Sequence, residues 1–88
     1  MRFTVGIDVM PREEVADPQG QTVERALPAL GFEGVDGVRI GKHIELCVDA
    51  PDAAAARGRV ESLCERLLAN TVIESFTIDV REYAGARP

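Results

Sequence analysis

What most constrains this chain is a hydrophobic period that switches four times between strand and helix spacing within 88 residues. Phe3, Val5, Ile7 and Val9 are apolar at every second position, with Arg2, Thr4, Gly6 and Asp8 between them. That is the pattern of a strand with one buried face. Asp17 then opens a helix: its carboxylate can accept hydrogen bonds from the first free backbone donors, and Pro18 in the first turn lacks only an N–H that would be unpaired anyway. Val23, Ala26, Leu27 and Leu30 follow at helical spacing, and Gly31 is placed to close the helix in a left-handed conformation. Pro28 falls in the last turn, where it removes a backbone bond and crowds the carbonyl four residues earlier, so the helix is expected to bend or end early.

The middle of the chain reads as a hairpin. Val38 and Ile40 face inward on a second strand, and Ile44, Leu46 and Val48 on a third, with Arg39, Glu45 and Cys47 opposite. A two-residue Gly41-Lys42 turn would break that alternation, whereas a three-residue loop through His43, or a bulge, keeps Ile40 opposite Ile44. A second helix is predicted over residues 52–69, with Ala56, Val60, Leu63, Cys64 and Leu67 as its buried stripe and Gly58 weakening it by about 1 kcal/mol relative to alanine. Phe76, Ile78 and Val80 then form the inward side of a fourth strand. The order strand, helix, strand, strand, helix, strand predicts an α+β, ferredoxin-like βαββαβ fold: a four-stranded antiparallel sheet with two helices on one face. A single domain spans residues 1–84, and residues 85–88 are expected to form a frayed tail. The opposite sheet face is polar and is read either as solvated or as a packing surface, and an open edge strand offers a further route to association.

Composition narrows the function. A domain this small buries only about 60 to 65% of its unfolded surface, so self-association is expected to help it. Two cysteines 17 residues apart, without Cys or His at metal-ligand spacing, make neither a zinc site nor a disulfide framework, which fits a reducing cytoplasm. The first apolar run is interrupted by Thr4, Gly6 and Asp8 and followed by Pro11-Arg12-Glu13-Glu14, so no signal peptide or membrane span is read there. A net charge of -5 and only three Phe, one Tyr and no Trp argue against a nucleic-acid partner.

Catalytic chemistry is not assembled in the sequence. Cys64 falls on a buried stripe, and Cys47 and His43 lie four residues apart, roughly 13 Å in an extended strand. His43 is read as an exposed turn residue that titrates normally. The helix start at Asp17 does not make a phosphate site, because a carboxylate already fills the cap, Pro18 has removed a donor and no Gly-rich loop or nearby lysine completes a cradle. Gly20 is harder to account for, since glycine in a first turn costs helix stability unless something approaches closely, and close contact with a partner would explain it. Arg39 and Lys42 either serve solubility or dock an acidic surface, and Asn70 can cap the second helix in a left-handed conformation.

Three runs at element joins, Asp17-Pro18-Gln19-Gly20, Val38-Arg39-Ile40-Gly41-Lys42 and Leu68-Ala69-Asn70-Thr71-Val72-Ile73-Glu74, in this order and spacing resemble the PurS family, the small subunit of bacterial phosphoribosylformylglycinamidine (FGAM) synthase. The resemblance covers nearly the whole chain. It implies a small subunit without an active site, forming a homodimer or tetramer and joining the ATP-dependent synthetase large subunit to the glutaminase subunit. The complex makes the formamidine from formylglycinamide ribonucleotide with ATP, Mg2+ and ammonia from glutamine, all used by the partner subunits; none of these is expected to bind this chain. Asp17, Pro18, Gln19, Gly20, Arg39, Gly41, Lys42, Asn70, Thr71 and Glu74 are the positions carried over as fold or interface determinants. The link after the first strand is more acidic than the resemblance predicts, with Arg12 as its basic residue, and Pro28 also departs from the pattern.

Two rival readings share the element order. An acylphosphatase-like enzyme would need a phosphate-binding glycine-rich turn, and Met10-Pro11-Arg12-Glu13 offers the arginine without the glycines. A regulatory small-molecule domain would be revealed by ligand-dependent thermal stabilisation.

Overall fold

The computed structural model describes residues 1–83; the expected tail at residues 85–88 lies outside the described residues. Three strands form one antiparallel sheet in the order β2-β1-β3: β1 at Arg2–Pro11, β2 at Lys42–Asp49 and β3 at Glu74–Glu82. β1 is central. Its apolar residues align with those of both neighbours, Val5 lying between Leu46 and Val80 and Ile7 between Ile44 and Ile78. The alternation read from the sequence therefore sets the register, because a slip of one residue would turn every apolar side chain to the other face.

Helix α1 spans Pro18–Ala26 with Asp17 as its cap, and a short 3-10 turn follows at Pro28–Leu30. The proline ends the α-helical segment as its chemistry dictates, and Gly31 closes the turn at φ 88°. Helix α2 spans Ala53–Leu63, capped by the Asp52 carboxylate on the Ala55 N–H at 2.8 Å, and continues as a π turn over Cys64–Leu68. Phe3, Val5, Ile7 and Val9 pack with Ala56 and Val60 of α2 and with Cys64 of the π turn in one core.

The predicted second strand and its hairpin are not formed among the described residues, so the sheet has three strands rather than four. The cause lies in where the backbone donors go. Val38 N–H donates to Glu24 Oε1 at 2.9 Å and Ile40 N–H to Asp17 Oδ2 at 2.7 Å, so side chains at α1 hold groups that an edge strand would offer to β2. Gly34 and Gly37, at φ 78° and 69°, turn the approach to this segment out of extended geometry. Lys42 and His43, read as turn residues, belong to β2 opposite Val9 and Asp8.

The α1 stripe is also placed differently from expectation. Leu27 is half-buried, while Val23 and Leu30 are exposed, as are Phe32 and Val35 beyond them. The Cα radius of gyration is 16.7 Å, against about 12 Å for a compact domain of this length. With extents of 51 × 33 × 16 Å, the chain is a flat sheet covered by α2, carrying a segment whose apolar side is not enclosed.

Candidate partner interface

The three sequence runs meet through a chain of side-chain to backbone bonds. Asp17 is its centre: one carboxylate oxygen accepts the Gly20 N–H at 3.0 Å, the other accepts the Ile40 N–H at 2.7 Å, and Arg39 Nε lies 4.0 Å away. Buried though it is, Asp17 is held below the usual carboxylate range, first by the Gly20 bond and then by the Ile40 bond, against the opposing cost of desolvation. Gly20 fits here because a Cβ would fall 2.4 Å from the Val38 carbonyl oxygen. The close approach expected from a partner is instead made by the chain itself.

Arg39 continues the network, one guanidinium nitrogen donating to the Arg12 carbonyl at 2.8 Å and to the Val15 carbonyl at 3.0 Å. Arg12 in turn donates to the Thr71 carbonyl from two nitrogens, at 3.1 and 2.8 Å, and its own N–H bonds to the Ile73 carbonyl. The link after β1 is therefore clamped between the second and third runs, with the basic residue at Arg12. In the third run Asn70 forms a turn rather than a left-handed cap: its side chain accepts the Val72 N–H at 3.2 Å, and its N–H donates to Glu74 Oε1 at 2.7 Å. Gly41 lies against β1, where a Cβ would meet the Val9 carbonyl oxygen at 2.2 Å. Pro18, Gln19 and Lys42 are exposed around this scaffold.

A polar group on the outer sheet face went unseen in the sequence. His43 Nδ1 lies 2.7 Å from Asp8 Oδ1 across β1 and β2, its other ring nitrogen 3.5 Å from Glu45, and its ring passes close over Gly6. The Asp8 hydrogen bond raises the imidazole pKa above its ordinary value, with Glu45 adding to the effect, so His43 does not titrate as a free turn residue would. Period-two counting had placed Asp8 on this face; assigning His43 to a turn concealed its partner. Cys47 lies 4.0 Å from Thr4 on the same face, while burial of Cys64 in the core raises its thiol pKa. Among the described residues, no group of three His, Cys, Asp or Glu side chains could hold a metal ion, and no helix is long and apolar enough to cross a membrane.

Residues 4–82 match the family model described as PurS, phosphoribosylformylglycinamidine (FGAM) synthase. Similar curated proteins include FGAM synthase subunit PurS of Synechocystis, 46% identical over 91% of this chain and 80% of its relative, and that of Bacillus subtilis, 41% identical over 91% and 94%. Among solved structures, B. subtilis PurS superposes with a TM-score of 0.81 at 41% identity, covering 91% of this chain and 99% of that one. A chain from the structure of PurLQS of Thermotoga maritima superposes at 0.84 with 37% identity, covering 92% and 99%. With the motif runs joined in one scaffold and the match extending from β1 through β3, the chain belongs to the PurS family of FGAM synthase subunits.

Proposed function

We propose that this chain is the non-catalytic small subunit of FGAM synthase, bridging the synthetase and glutaminase subunits in the cytoplasm and supporting ammonia transfer between them during purine biosynthesis. The observation that carries this reading is near full-length similarity to PurS proteins, including a chain of the PurLQS structure. ATP, Mg2+ and glutamine belong to the partner subunits. Ammonia is readily lost to water, so a subunit that aligns two active sites and excludes solvent serves the transfer chemically. In this reading Asp17, Gly20, Arg39, Gly41, Asn70, Thr71 and Glu74 hold the shape of the interface region, and Pro18, Gln19 and Lys42 meet partners there.

Self-association into a dimer or tetramer is part of the same proposal. The exposed apolar side chains Val23, Leu30, Phe32 and Val35, and the half-buried Ile44, Leu46 and Val48 of β2, support it. A second copy can cover both sets, and β2 also presents an edge that is unpaired among the described residues.

The test is glutamine-dependent formamidine synthesis by separately purified synthetase and glutaminase subunits of the same organism, with and without this chain, beside an ammonia-driven control. Glutamine-driven activity that requires the chain, with ammonia bypassing it, is the expected result. Full glutamine-driven activity without the chain would overturn the bridging role.

A further inference from the structure

Helix α2 carries a face that the core does not use. Its buried side is Ala56 and Val60, continued by Cys64. At Cys64 the helix widens, Ala69 N–H reaching back five residues to the Cys64 carbonyl at 2.9 Å. The extra residue in that turn changes the phase of the stripe. Leu68 packs against the core, and Leu67, predicted from helical spacing to be buried, is 74% exposed. Leu67 joins Arg59, Ser62, Leu63 and Arg66 in lining one surface groove. These positions form a single helical stripe, and Glu61 and Glu65 do not line it.

The groove is cationic and apolar on a chain of net charge -5. Arg59 is exposed and donates to the Asp49 carbonyl through one nitrogen, and Arg66, also exposed, has no hydrogen-bond or ion-pair partner among the described residues. We infer that this face docks an acidic helical segment of a different protein chain, one with carboxylates two turns apart and an apolar side chain between them. The two arginines are seven residues apart, about 10 Å along the axis, which matches carboxylates at the same separation on a partner helix. Leu63 and Leu67 supply the apolar contact between the two ion pairs. A second copy is disfavoured as the occupant: a two-fold contact of this groove with itself would set its arginines facing arginines, and like charges oppose it. The inference rests on the bridging role and names the chemistry of one partner surface.

The experiment measures affinity of the full chain for the mixed synthetase and glutaminase subunits, for wild type, Arg66→Glu and Leu67→Asp, at low and high salt. Both side chains are exposed, so folding is retained, as far-UV circular dichroism will verify. Each variant is expected to bind at least about tenfold more weakly, and Arg66→Glu to lose most of the salt dependence seen with wild type. Variant affinities within about twofold of a wild type that itself assembles would overturn the docking face and leave the bridging role standing. A change in homo-oligomer mass with partner affinity unaltered would give the groove to a second copy and overturn it equally. Failure of the wild-type chain to assemble would overturn the bridging role and this docking surface with it.

Discussion

Gly20→Ala and Gly58→Ala are the same substitution in two helices, and the structure gives them opposite signs. Both glycines are helical, where alanine is favoured by about 1 kcal/mol. At Gly58 a Cβ meets nothing within 4 Å, so Gly58→Ala should stabilise by about 0.5 to 1 kcal/mol. At Gly20 the Cβ would lie 2.4 Å from the Val38 carbonyl oxygen and 2.5 Å from Asp17 Oδ2, both inside the 3.0 Å that real Cβ contacts respect. The nearer obstacle is backbone, so residues 38–40 must shift, and the 2.7 Å bond from Ile40 to Asp17 shifts with them. Overpacking of this kind costs about 1 to 3 kcal/mol, and a backbone obstacle this close belongs at the upper end. Subtracting the helix gain leaves a net destabilisation of about 2 kcal/mol. Urea unfolding followed by far-UV circular dichroism measures it, at one fixed protein concentration so that any self-association contributes equally to both proteins. With a slope of about 1 kcal/mol/M, the midpoint of Gly20→Ala should fall by roughly 2 M while that of Gly58→Ala rises. A Gly20→Ala protein as stable as wild type would refute the packing of α1 against residues 38–40.

Because its folded-state pKa is raised, His43 contributes stability that is fully present below its ordinary value of 6.5 and is lost as pH rises through the raised one. NMR titration of the His43 ring should show the raised pKa in wild type and a return toward 6.5 in Asp8→Asn; no change in that variant would remove Asp8 as the cause. Asp17 runs the other way. Its lowered pKa contributes stability above the ordinary value of 3.8 that disappears as pH falls through the folded value, so amide exchange at Ile40 should accelerate there, and much less so in Asp17→Asn, where the amide no longer titrates. Val60, 1% exposed, loses two methyl groups in Val60→Ala and should cost about 2 kcal/mol by urea unfolding, whereas Val23→Ala on the exposed side of α1 should stay within about 0.5 kcal/mol when the chain is dilute and monomeric.

β1, β2 and β3 and their inward faces were legible in the sequence because the sheet is covered on one side only, and Phe3, Val5, Ile7 and Val9 state that directly for β1. The cap at Asp17, the early end before Pro28 and the left-handed Gly31 were legible for a related reason: each is a local consequence of one residue's covalent chemistry. Residues 38–40 were misread because Val38 and Ile40 have strand spacing whatever their N–H groups bond to, and the acceptors, Glu24 and Asp17, lie 14 and 23 residues away. Leu67 was misread because a π turn alters helical phase without a marker in apolar spacing. Asp8 and His43 were each visible, but their pairing required the β1–β2 register.

The misplaced residues share a cause that bears on function. Period counting assigns every apolar stripe to the chain's own core, and it cannot separate a side chain buried at home from one buried in an assembly. Val23, Leu30, Phe32 and Val35 follow α1 outward, Leu67 of the π turn lines a groove with Arg59 and Arg66, and among the described residues the place beside β2 where a fourth strand was expected stands open. Each departure leaves apolar surface or an open edge where an isolated domain would have closed one. In so small a domain an unfilled stripe is costly, since self-contained burial already stabilises it only modestly. The same sequence features that failed as predictors of an intrachain core are therefore what a subunit that works between other chains would carry, and in the proposed assembly the α1 stripe takes a second copy and the α2 groove an acidic partner.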